Sequence, residues 1–315
     1  MADPITLLLD VPSGWAGHWA GPLSELLPGA RLLRQDEGPI DTARVDYLIT
    51  FRPRKGLIAS LANLKAVFSL GAGVDGILAD PDFPRDIPLM RFVDRSLSRE
   101  LAQYVVMHVL IFHRGQRYFD AAQAMNKWRQ RPLLRPTEDT RIGILGMGEI
   151  GTMCAERLRD LDFPVTGWSR TRKSVTGVES FSGAGELAPF LARSDILVCL
   201  LPLTPETKGI LNAKTFALLP RGAFVINAAR GGHLIEADLV EAIDTGHLAG
   251  ATLDVFQHEP LPADSVLWNH PKITVTPHIA AITDPRAAAR AISEGITALE
   301  RGEPAAHRVN IARGY

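Results

Sequence analysis

The chain has 315 residues, of which 46% are hydrophobic and 22% are charged, and its formal net charge is −1. These proportions are ordinary for a globular protein, and the length suggests about two domains. The near-neutral charge, without a long basic block, gives no indication of a nucleic-acid partner. The apolar runs are much shorter than a membrane span, and Ile5–Leu9 is too short for the core of a signal peptide, so we expect a cytoplasmic protein without a membrane partner.

Short apolar runs alternate with helical or polar stretches along the first hundred residues, which predicts a small α/β unit. The predicted elements are strands at Ile5–Leu9, Val45–Thr50 and Ala66–Leu70 and helices at Trp19–Leu27 and Gly56–Leu64. A long helical pattern follows over Ser98–Tyr118, and residues 125–140 have the composition of an irregular basic segment.

From Arg141 onward the alternation of strands and helices predicts a doubly wound parallel sheet. The predicted strands are Ile142–Leu145, Val165–Trp168, Ile196–Leu201, Ala223–Asn227, Ala251–Phe256 and Ile273–Thr276. The predicted helices of this part are Ile150–Leu161, Glu186–Ala192, Lys214–Leu218 and Glu236–Thr245, and an Ala-rich helix follows over Thr283–Glu300. We therefore predict a smaller α/β substrate lobe of residues 1–98 and 285–315, into which a dinucleotide-binding domain of residues 99–284 is inserted.

A glycine-rich turn directly follows the first strand of this sheet. Gly146, Gly148 and Gly151 have the Gly-x-Gly-x-x-Gly spacing of a dinucleotide-binding turn, and they lie between a strand and a helix. Gly146 permits the tight turn, Gly148 lets the backbone approach a pyrophosphate, and Gly151 allows close packing of helix on strand. Free N–H groups at the start of the helix then hold the phosphates. The whole turn is predicted to contact the cofactor, including Met147, Glu149 and Ile150.

The acidic residue that selects NAD is absent from the end of the second strand. That position holds Ser169, and Arg or Lys fills three of the next four positions. A carboxylate there would repel a 2′-phosphate, whereas Arg can hold it with two parallel hydrogen bonds. We therefore predict NADPH as the preferred cofactor and NAD as a weaker alternative, with Ser169, Arg170, Thr171 and Lys173 as the binding residues. The alternative interpretation is a solvated basic turn.

Three polar residues that suit the reduction of a 2-oxo acid follow later strands of the sheet. Arg230 can hold a carboxylate or polarise the neighbouring carbonyl, and His278 can supply a proton near neutral pH. Glu259 can favour the charged form of the histidine and orient it. Each residue alone is compatible with a structural role, but together they predict one site at the carboxyl ends of the strands.

Neither cysteine nor histidine spacing indicates a metal site. Cys154 and Cys199 lie far apart, in a predicted helix and a predicted strand, and are interpreted as inert buried thiols. The nine histidines form no cluster with metal-ligand spacing, so no metal is predicted.

Several segments, in this order and spacing, resemble the D-isomer-specific 2-hydroxyacid dehydrogenase family. They are residues 146–151, 201–207, 227–231, 253–261, 276–278 and, in the first lobe, 70–75. Residues 168–173, 280–283 and 312–315 resemble more specifically the glyoxylate/hydroxypyruvate reductase A branch. The resemblance implies a flavodoxin-like substrate lobe, an NAD(P)-dependent enzyme and a homodimer that pairs through its nucleotide-binding lobes.

The resemblance also implies roles for individual residues. Arg230 would bind the substrate carboxylate, His278 would be the acid–base group with Glu259 as its partner, and Asp254 would face the nicotinamide carboxamide. Backbone N–H groups of the first lobe would bind the substrate carboxylate as well, at Ala72, Gly73 and Val74. Further implied cofactor contacts are Leu201, Pro202, Thr207, Ala228, Ala229 and Ala280. Trp128 is interpreted as dimer packing first and as a wall of the substrate pocket second.

The leading hypothesis is an NADPH-preferring reductase of small 2-oxo acids, with glyoxylate and hydroxypyruvate as the first candidates. A family member that acts on D-lactate or a bulkier acid would share every motif named above. A dinucleotide sensor without catalytic activity is an alternative from another class, and the presence of all three polar groups argues against it.

Overall fold

The computed structural model describes residues 4–130, 135–312 and 314. The predictions for residues 1–3, for part of the irregular segment 125–140 and for part of the segment 312–315 lie outside the described residues. The chain divides into two compact units, one formed by the chain up to Leu97 together with the chain from Thr283 onward, and the other by Ser98–Ile282.

Strands and helices alternate along most of the described chain. The first unit contains, before Leu97, the elements β1 (Thr6–Asp10), α1 (Ser13–Leu26), β2 (Arg31–Arg34), β3 (Tyr47–Thr50), β4 (Ala66–Ser69), α2 (Asp75–Leu78) and β5 (Leu89–Met90). The second unit contains most of α3 (Arg95–Arg114), then α4 (Gln116–Ala124), β6 (Ile142–Leu145), α5 (Glu149–Arg159), β7 (Val165–Ser169), β8 (Glu179–Ser182), α6 (Leu187–Leu191), β9 (Ile196–Cys199), α7 (Ala213–Leu218), β10 (Ala223–Asn227), α8 (Glu236–Asp244), β11 (Leu248–Leu253) and β12 (Ile273–Val275). The first unit is completed by α9 (Pro285–Glu300).

The first unit is built on a parallel sheet with the strand order β2-β1-β3-β4-β5. Every residue of β1, β3 and β4 is buried, because helices cover a parallel sheet on both faces. This order is that of flavodoxin-like sheets, so the predicted fold of the substrate lobe is confirmed.

The second unit is built on a parallel sheet with the strand order β12-β11-β10-β9-β6-β7-β8. The chain runs outward from β6 through β7 to β8 and then returns to β9 on the other side of β6. This reversal is the switch point at which doubly wound sheets bind ligands, beyond the carboxyl ends of their strands. The predicted Rossmann sheet is therefore confirmed.

The helices that bear on the site begin and end at recognisable signals. Helix α5 starts directly after Gly148, on the carboxyl side of β6. Gly115, with φ +68°, separates α3 from α4, so the single helix predicted over Ser98–Tyr118 is wrong. The side chain of Asp284 caps α9 by accepting hydrogen bonds from the backbone N–H groups of Arg286 and Ala287. Across the ranges described above, no helix is both long and apolar enough to cross a bilayer.

Candidate active site

The predicted site residues of the second unit gather along the carboxyl edge of its sheet. All its strands are parallel, so the chain leaves each of them on the same side. Among the residues that directly follow strands at this edge are Gly146 after β6, Arg170 after β7, Ala228 after β10, Asp254 after β11 and Thr276 after β12. Asp254 thus lies just beyond β11 and not within it, because β11 begins and ends three residues earlier than the predicted strand.

The three glycines of the turn after β6 have different surroundings. A Cβ at Gly146, which has φ +105°, would lie 2.7 Å from the carbonyl oxygen of Leu200. A Cβ at Gly151 would lie 1.9 Å from the carbonyl oxygen of Gly146, so this glycine permits the packing of α5 on the turn. A Cβ at Gly148 would meet no heavy atom of the described chain within 4 Å.

This open space at Gly148 fits a dinucleotide. It lies at the start of α5, where backbone N–H groups lack helical partners and favour an anion. Met147 contributes only its backbone to that surface, because its side chain is buried and would be in the way of a Cβ on Gly167. Glu149 is exposed, and Ile150 is partly exposed.

One arginine of the basic turn after β7 binds a carboxylate of the protein, and other cations of the turn are exposed to solvent. Ser169 is the last residue of β7, and its hydroxyl donates to the carbonyl oxygen of Thr171 at 2.8 Å. The guanidinium of Arg172 binds both carboxylate oxygens of Glu186, at 2.5 and 2.7 Å, and also donates to the carbonyl oxygen of Ser180. Arg170 and Lys173 are exposed. The turn is therefore anchored by Arg172 and can offer other positive charges to a phosphate.

His278 and Glu259 are joined by a hydrogen bond. Nδ1 of His278 lies 2.8 Å from Oε2 of Glu259, while Oε1 of Glu259 accepts the backbone N–H of Phe256 at 2.9 Å. Burial acts to raise the pKa of Glu259, but these hydrogen bonds and the charges of His278 and Arg230 hold that pKa below its usual value. The pairing leaves Nε2 of the half-exposed His278 available for proton transfer.

Arg230 belongs to the same group of charges. It follows β10, and its Nη1 donates to the carbonyl oxygen of Ala229 at 2.6 Å. Its charge contributes to the low pKa of Glu259, so the structure brings the three predicted catalytic residues into one electrostatic neighbourhood.

Asp254 is buried and holds the turn that carries His278. One carboxylate oxygen accepts the hydroxyl of Thr276 at 2.6 Å and the N–H of Ile279 at 2.9 Å, and the other accepts the N–H of Ala280 at 2.9 Å. Three donors of the chain thus occupy the carboxylate that was predicted to face the nicotinamide, and that cofactor contact stays a prediction.

The remaining predicted contacts lie on loops of both units. In the second unit, the hydroxyl of Thr207 donates to the carbonyl oxygen of Pro202 at 2.7 Å, which closes the loop after β9. Leu201, Ala228, Ala229 and Ala280 are all buried there. In the first unit, Ala72, Gly73 and Val74 form the turn between β4 and α2, and their binding of a substrate carboxylate stays a prediction.

Comparison with known proteins decides the family. Residues 106–280, more than half of the chain, match the family described as "D-isomer specific 2-hydroxyacid dehydrogenase, NAD binding domain". The chain belongs to this family.

The relatives of this dehydrogenase extend over almost its whole length. A glyoxylate/hydroxypyruvate reductase A of Klebsiella pneumoniae is 43% identical over 303 residues, which are 95% of this chain and 96% of the relative. A D-isomer specific 2-hydroxyacid dehydrogenase of Xanthobacter autotrophicus, solved in complex with NADPH and MES, is 41% identical with a TM-score of 0.91, and the match covers 99% of this chain and 100% of that one. An NADPH-dependent glyoxylate/hydroxypyruvate reductase of Sinorhizobium meliloti, solved with NADP and sulfate, is 38% identical with a TM-score of 0.92 and the same coverage.

Sequence reasoning missed a buried histidine that links two loops of this dehydrogenase. His233 is fully buried, with Nδ1 3.1 Å from the carbonyl oxygen of Arg230 and Nε2 3.2 Å from that of Pro202. It therefore joins the loop that carries Arg230 to the loop after β9. A histidine after two glycines carries no periodic signal, so the sequence alone could not have indicated this contact.

Proposed function

We propose that this dehydrogenase is an NADPH-preferring reductase that converts small 2-oxo acids, with glyoxylate and hydroxypyruvate as the leading substrates, into 2-hydroxy acids. The observation that carries the proposal is the His278–Glu259 pair at the carboxyl edge of a dinucleotide-binding sheet. The choice of substrates is supported by the relatives from Klebsiella pneumoniae and Sinorhizobium meliloti, which are glyoxylate/hydroxypyruvate reductases.

The catalytic residues divide the reaction into binding and proton transfer. NADPH, when bound, supplies the hydride that reduces the carbonyl carbon. Arg230 binds the substrate carboxylate, for which a guanidinium offers two parallel donors. His278 donates the proton from Nε2 to the carbonyl oxygen as negative charge develops there. Glu259 orients the ring through Nδ1 and stabilises its charged form until the proton has moved.

The proposed cofactor site uses three regions of the second unit. The turn from Gly146 to Gly151 holds the pyrophosphate, and Ser169, Arg170, Thr171 and Lys173 hold the 2′-phosphate. The smaller contacts proposed along the sheet edge are Leu201, Pro202, Thr207, Ala228, Ala229, Asp254 and Ala280. Support comes from the open space at Gly148 and from the absence of a carboxylate at position 169.

A panel of 2-oxo acids tests the proposal directly. NADPH and NADH oxidation is followed with glyoxylate, hydroxypyruvate, pyruvate and a branched 2-oxo acid, and kcat/KM is expected to be highest for the first two with NADPH. A preference for the branched acid would indicate another dehydrogenase of the family. NADPH binding without turnover of any acid would favour the non-catalytic sensor.

A variant of the proton donor separates chemistry from binding. His278→Ala is expected to lower kcat by about 100-fold or more, in the range of a lost general acid, while the NADPH dissociation constant stays within about twofold. Turnover close to that of the wild type would refute the role of His278.

We also propose a homodimer, and a cytoplasmic location stays a prediction. Trp128 is 94% exposed and Met125 is 48% exposed, so the segment after α4 presents two large apolar side chains to solvent. Light scattering is expected to give twice the chain mass, and Trp128→Glu is expected to weaken the dimer. A wild-type protein that is monomeric at micromolar concentration would refute the proposal.

A further inference from the structure

Two hydroxyl groups, that of the buried Tyr104 and that of the partly buried Thr276, connect helix α3 to the turn that carries His278. The hydroxyl of Tyr104, on α3, lies 2.6 Å from Oγ1 of Thr276, and that atom lies 2.6 Å from Oδ1 of Asp254. A threonine hydroxyl has one proton, and that of Thr276 goes to the carboxylate of Asp254, so Tyr104 must be the donor to Thr276. Burial raises the pKa of Tyr104, so its phenol keeps the proton that it donates.

The carboxylate of Asp254, which ends this series of hydrogen bonds, fixes the backbone around His278. Asp254 accepts the N–H groups of Ile279 and Ala280 through its side chain and the N–H of His278, at 2.8 Å, through its carbonyl oxygen. His278 has φ +55°, a left-handed conformation that is unfavourable for a residue with a Cβ. Such a conformation persists only when surrounding contacts enforce it, and Asp254 supplies those contacts.

Tyr104, at the other end of this series of hydrogen bonds, is held in the packing of α3. The ring centroids of Tyr104 and His108 are 4.3 Å apart, and Nδ1 of the buried His108 lies 3.3 Å from the hydroxyl of Thr252 on β11. Burial lowers the pKa of His108, which favours a neutral ring beside the phenol. Tyr104 also packs against Ala228 and Ala280, two of the proposed cofactor contacts. The ring of Tyr104 is thus held by contacts with His108, Ala228 and Ala280, and its hydroxyl lies within hydrogen-bond distance of Thr276.

We propose that Tyr104 and Thr276 are positioning residues for the proton donor. Their hydroxyl groups hold the carboxylate of Asp254, and Asp254 in turn holds the turn 278–280 in the left-handed conformation that presents His278 to the substrate. This inference rests on the proposed function, because it assigns to His278 the proton transfer described above. A merely structural hydrogen bond would instead contribute to stability without affecting the turn or the chemical step.

Four variants test the order of these hydrogen bonds, which run from Tyr104 through Thr276 to Asp254. Tyr104→Phe removes one hydroxyl without changing the ring, and is expected to lower kcat about fivefold. Thr276→Val removes the direct donor to Asp254 and is expected to lower kcat about 30-fold, while Thr276→Ser, which keeps a hydroxyl, is expected to stay within about threefold of the wild type. In the double variant, Tyr104→Phe should have no further effect, because the hydroxyl of Thr276 that connects Tyr104 to Asp254 is already absent. The NADPH dissociation constant, measured by fluorescence titration, should change by less than about threefold throughout.

The matched control is Tyr47→Phe. Tyr47 is a fully buried tyrosine of the first unit whose hydroxyl donates to Glu300 at 2.6 Å. This variant loses a comparable hydrogen bond and is expected to lower the melting temperature without changing kcat. Independent, multiplicative effects of Tyr104→Phe and Thr276→Val on kcat would overturn the proposal, as would an unchanged kcat in both.

Hydrogen exchange provides a readout that does not depend on turnover. In Tyr104→Phe and Thr276→Val, the amides of Ile279 and Ala280 are expected to exchange at least about tenfold faster than in the wild type, whereas Tyr47→Phe leaves them unchanged. Unchanged exchange at these amides would refute the positioning role even if the wild type proved inactive on every 2-oxo acid. Inactivity of the wild type together with faster exchange in the variants would refute the proposed function alone.

Discussion

Gly148→Ala should separate folding from cofactor binding in this dehydrogenase. Gly148 has φ −81° and ψ −162°, which other residues also adopt, and an added Cβ meets no atom of the described chain within 4 Å. The substitution should therefore leave the fold intact and raise the free energy of unfolding by about 0.4–1 kcal/mol, because alanine restricts the unfolded chain.

The same methyl group should weaken NADPH binding. It fills the open space at the start of α5 and keeps a phosphate from the backbone N–H groups there. Loss of one hydrogen bond to a charged group costs about 1.5–3 kcal/mol, which corresponds to a dissociation constant about 10- to 150-fold higher. A neighbouring variant, Gly151→Ala, should change stability in the opposite direction. In Gly151→Ala the Cβ would lie 1.9 Å from the carbonyl oxygen of Gly146, so stability should fall by about 1–3 kcal/mol.

Fluorescence titration with NADPH and denaturant unfolding measure the two quantities. Gly17→Ala is the control, since Gly17 is an exposed residue of α1 in the first unit and its added Cβ also meets nothing within 4 Å. It should raise stability by about 0.5–1 kcal/mol and leave NADPH binding unchanged. If Gly148→Ala binds NADPH as tightly as Gly17→Ala does, the space at Gly148 is not the phosphate site.

The remaining predictions concern selectivity, pH and thiol chemistry. Arg170→Asp should lower the ratio of kcat/KM with NADPH to that with NADH by at least about tenfold, whereas Arg193→Asp, a surface change on the same unit, should leave the ratio unchanged in the same assay. Burial acts to raise the pKa of Asp195, but hydrogen bonds from two arginines and a backbone N–H hold it below its usual value. The stability that the ionised Asp195 contributes is complete above the pKa of an unfolded aspartate and is lost as the pH falls through the folded pKa. Asp195→Asn should therefore lower the free energy of unfolding by about 2 kcal/mol near neutral pH and by progressively less below about pH 4. Denaturant titrations at several pH values measure this difference. Burial raises the pKa values of Cys154 and Cys199 to about 12, so a thiol reagent should modify neither in the native protein and both after denaturation; rapid native modification would contradict their burial.

The strands at the centre of the sheets were predictable because their sequences are unbroken apolar runs. Ile142–Leu145 and Ala223–Asn227 have the same limits in the prediction and in the structure. Such runs, bounded by turn residues, are typical of parallel strands covered on both faces, so a local signal and the final environment agree.

Two edge strands, β2 and β8, were missed because their sequences lack this signal, whereas the edge strand β12 was predicted. β2 (Arg31–Arg34) and β8 (Glu179–Ser182) lie at the outer positions of their sheets, and most of their residues are partly or fully exposed. Only pairing with a neighbouring strand defines them, and that pairing is not local. The predicted helix Gly56–Leu64 is wrong for a related reason: burial of Leu57, Ile58 and Leu61 requires only the single 3₁₀ turn that forms there.

The proposed catalytic groups and the groups proposed to position them differ in how far a sequence can indicate them. Arg230 and His278 follow strands, so topology alone places them at one edge of the sheet, where a ligand is expected. Tyr104 occupies a helical position that is typical of core packing, and its hydroxyl partner Thr276 is 172 residues away. No periodicity encodes that meeting, because a hydrogen bond between distant residues depends on how helix and sheet finally pack. The groups proposed to act on the ligand were therefore predictable from their positions at strand ends, whereas the groups proposed to position them became visible only in the folded structure.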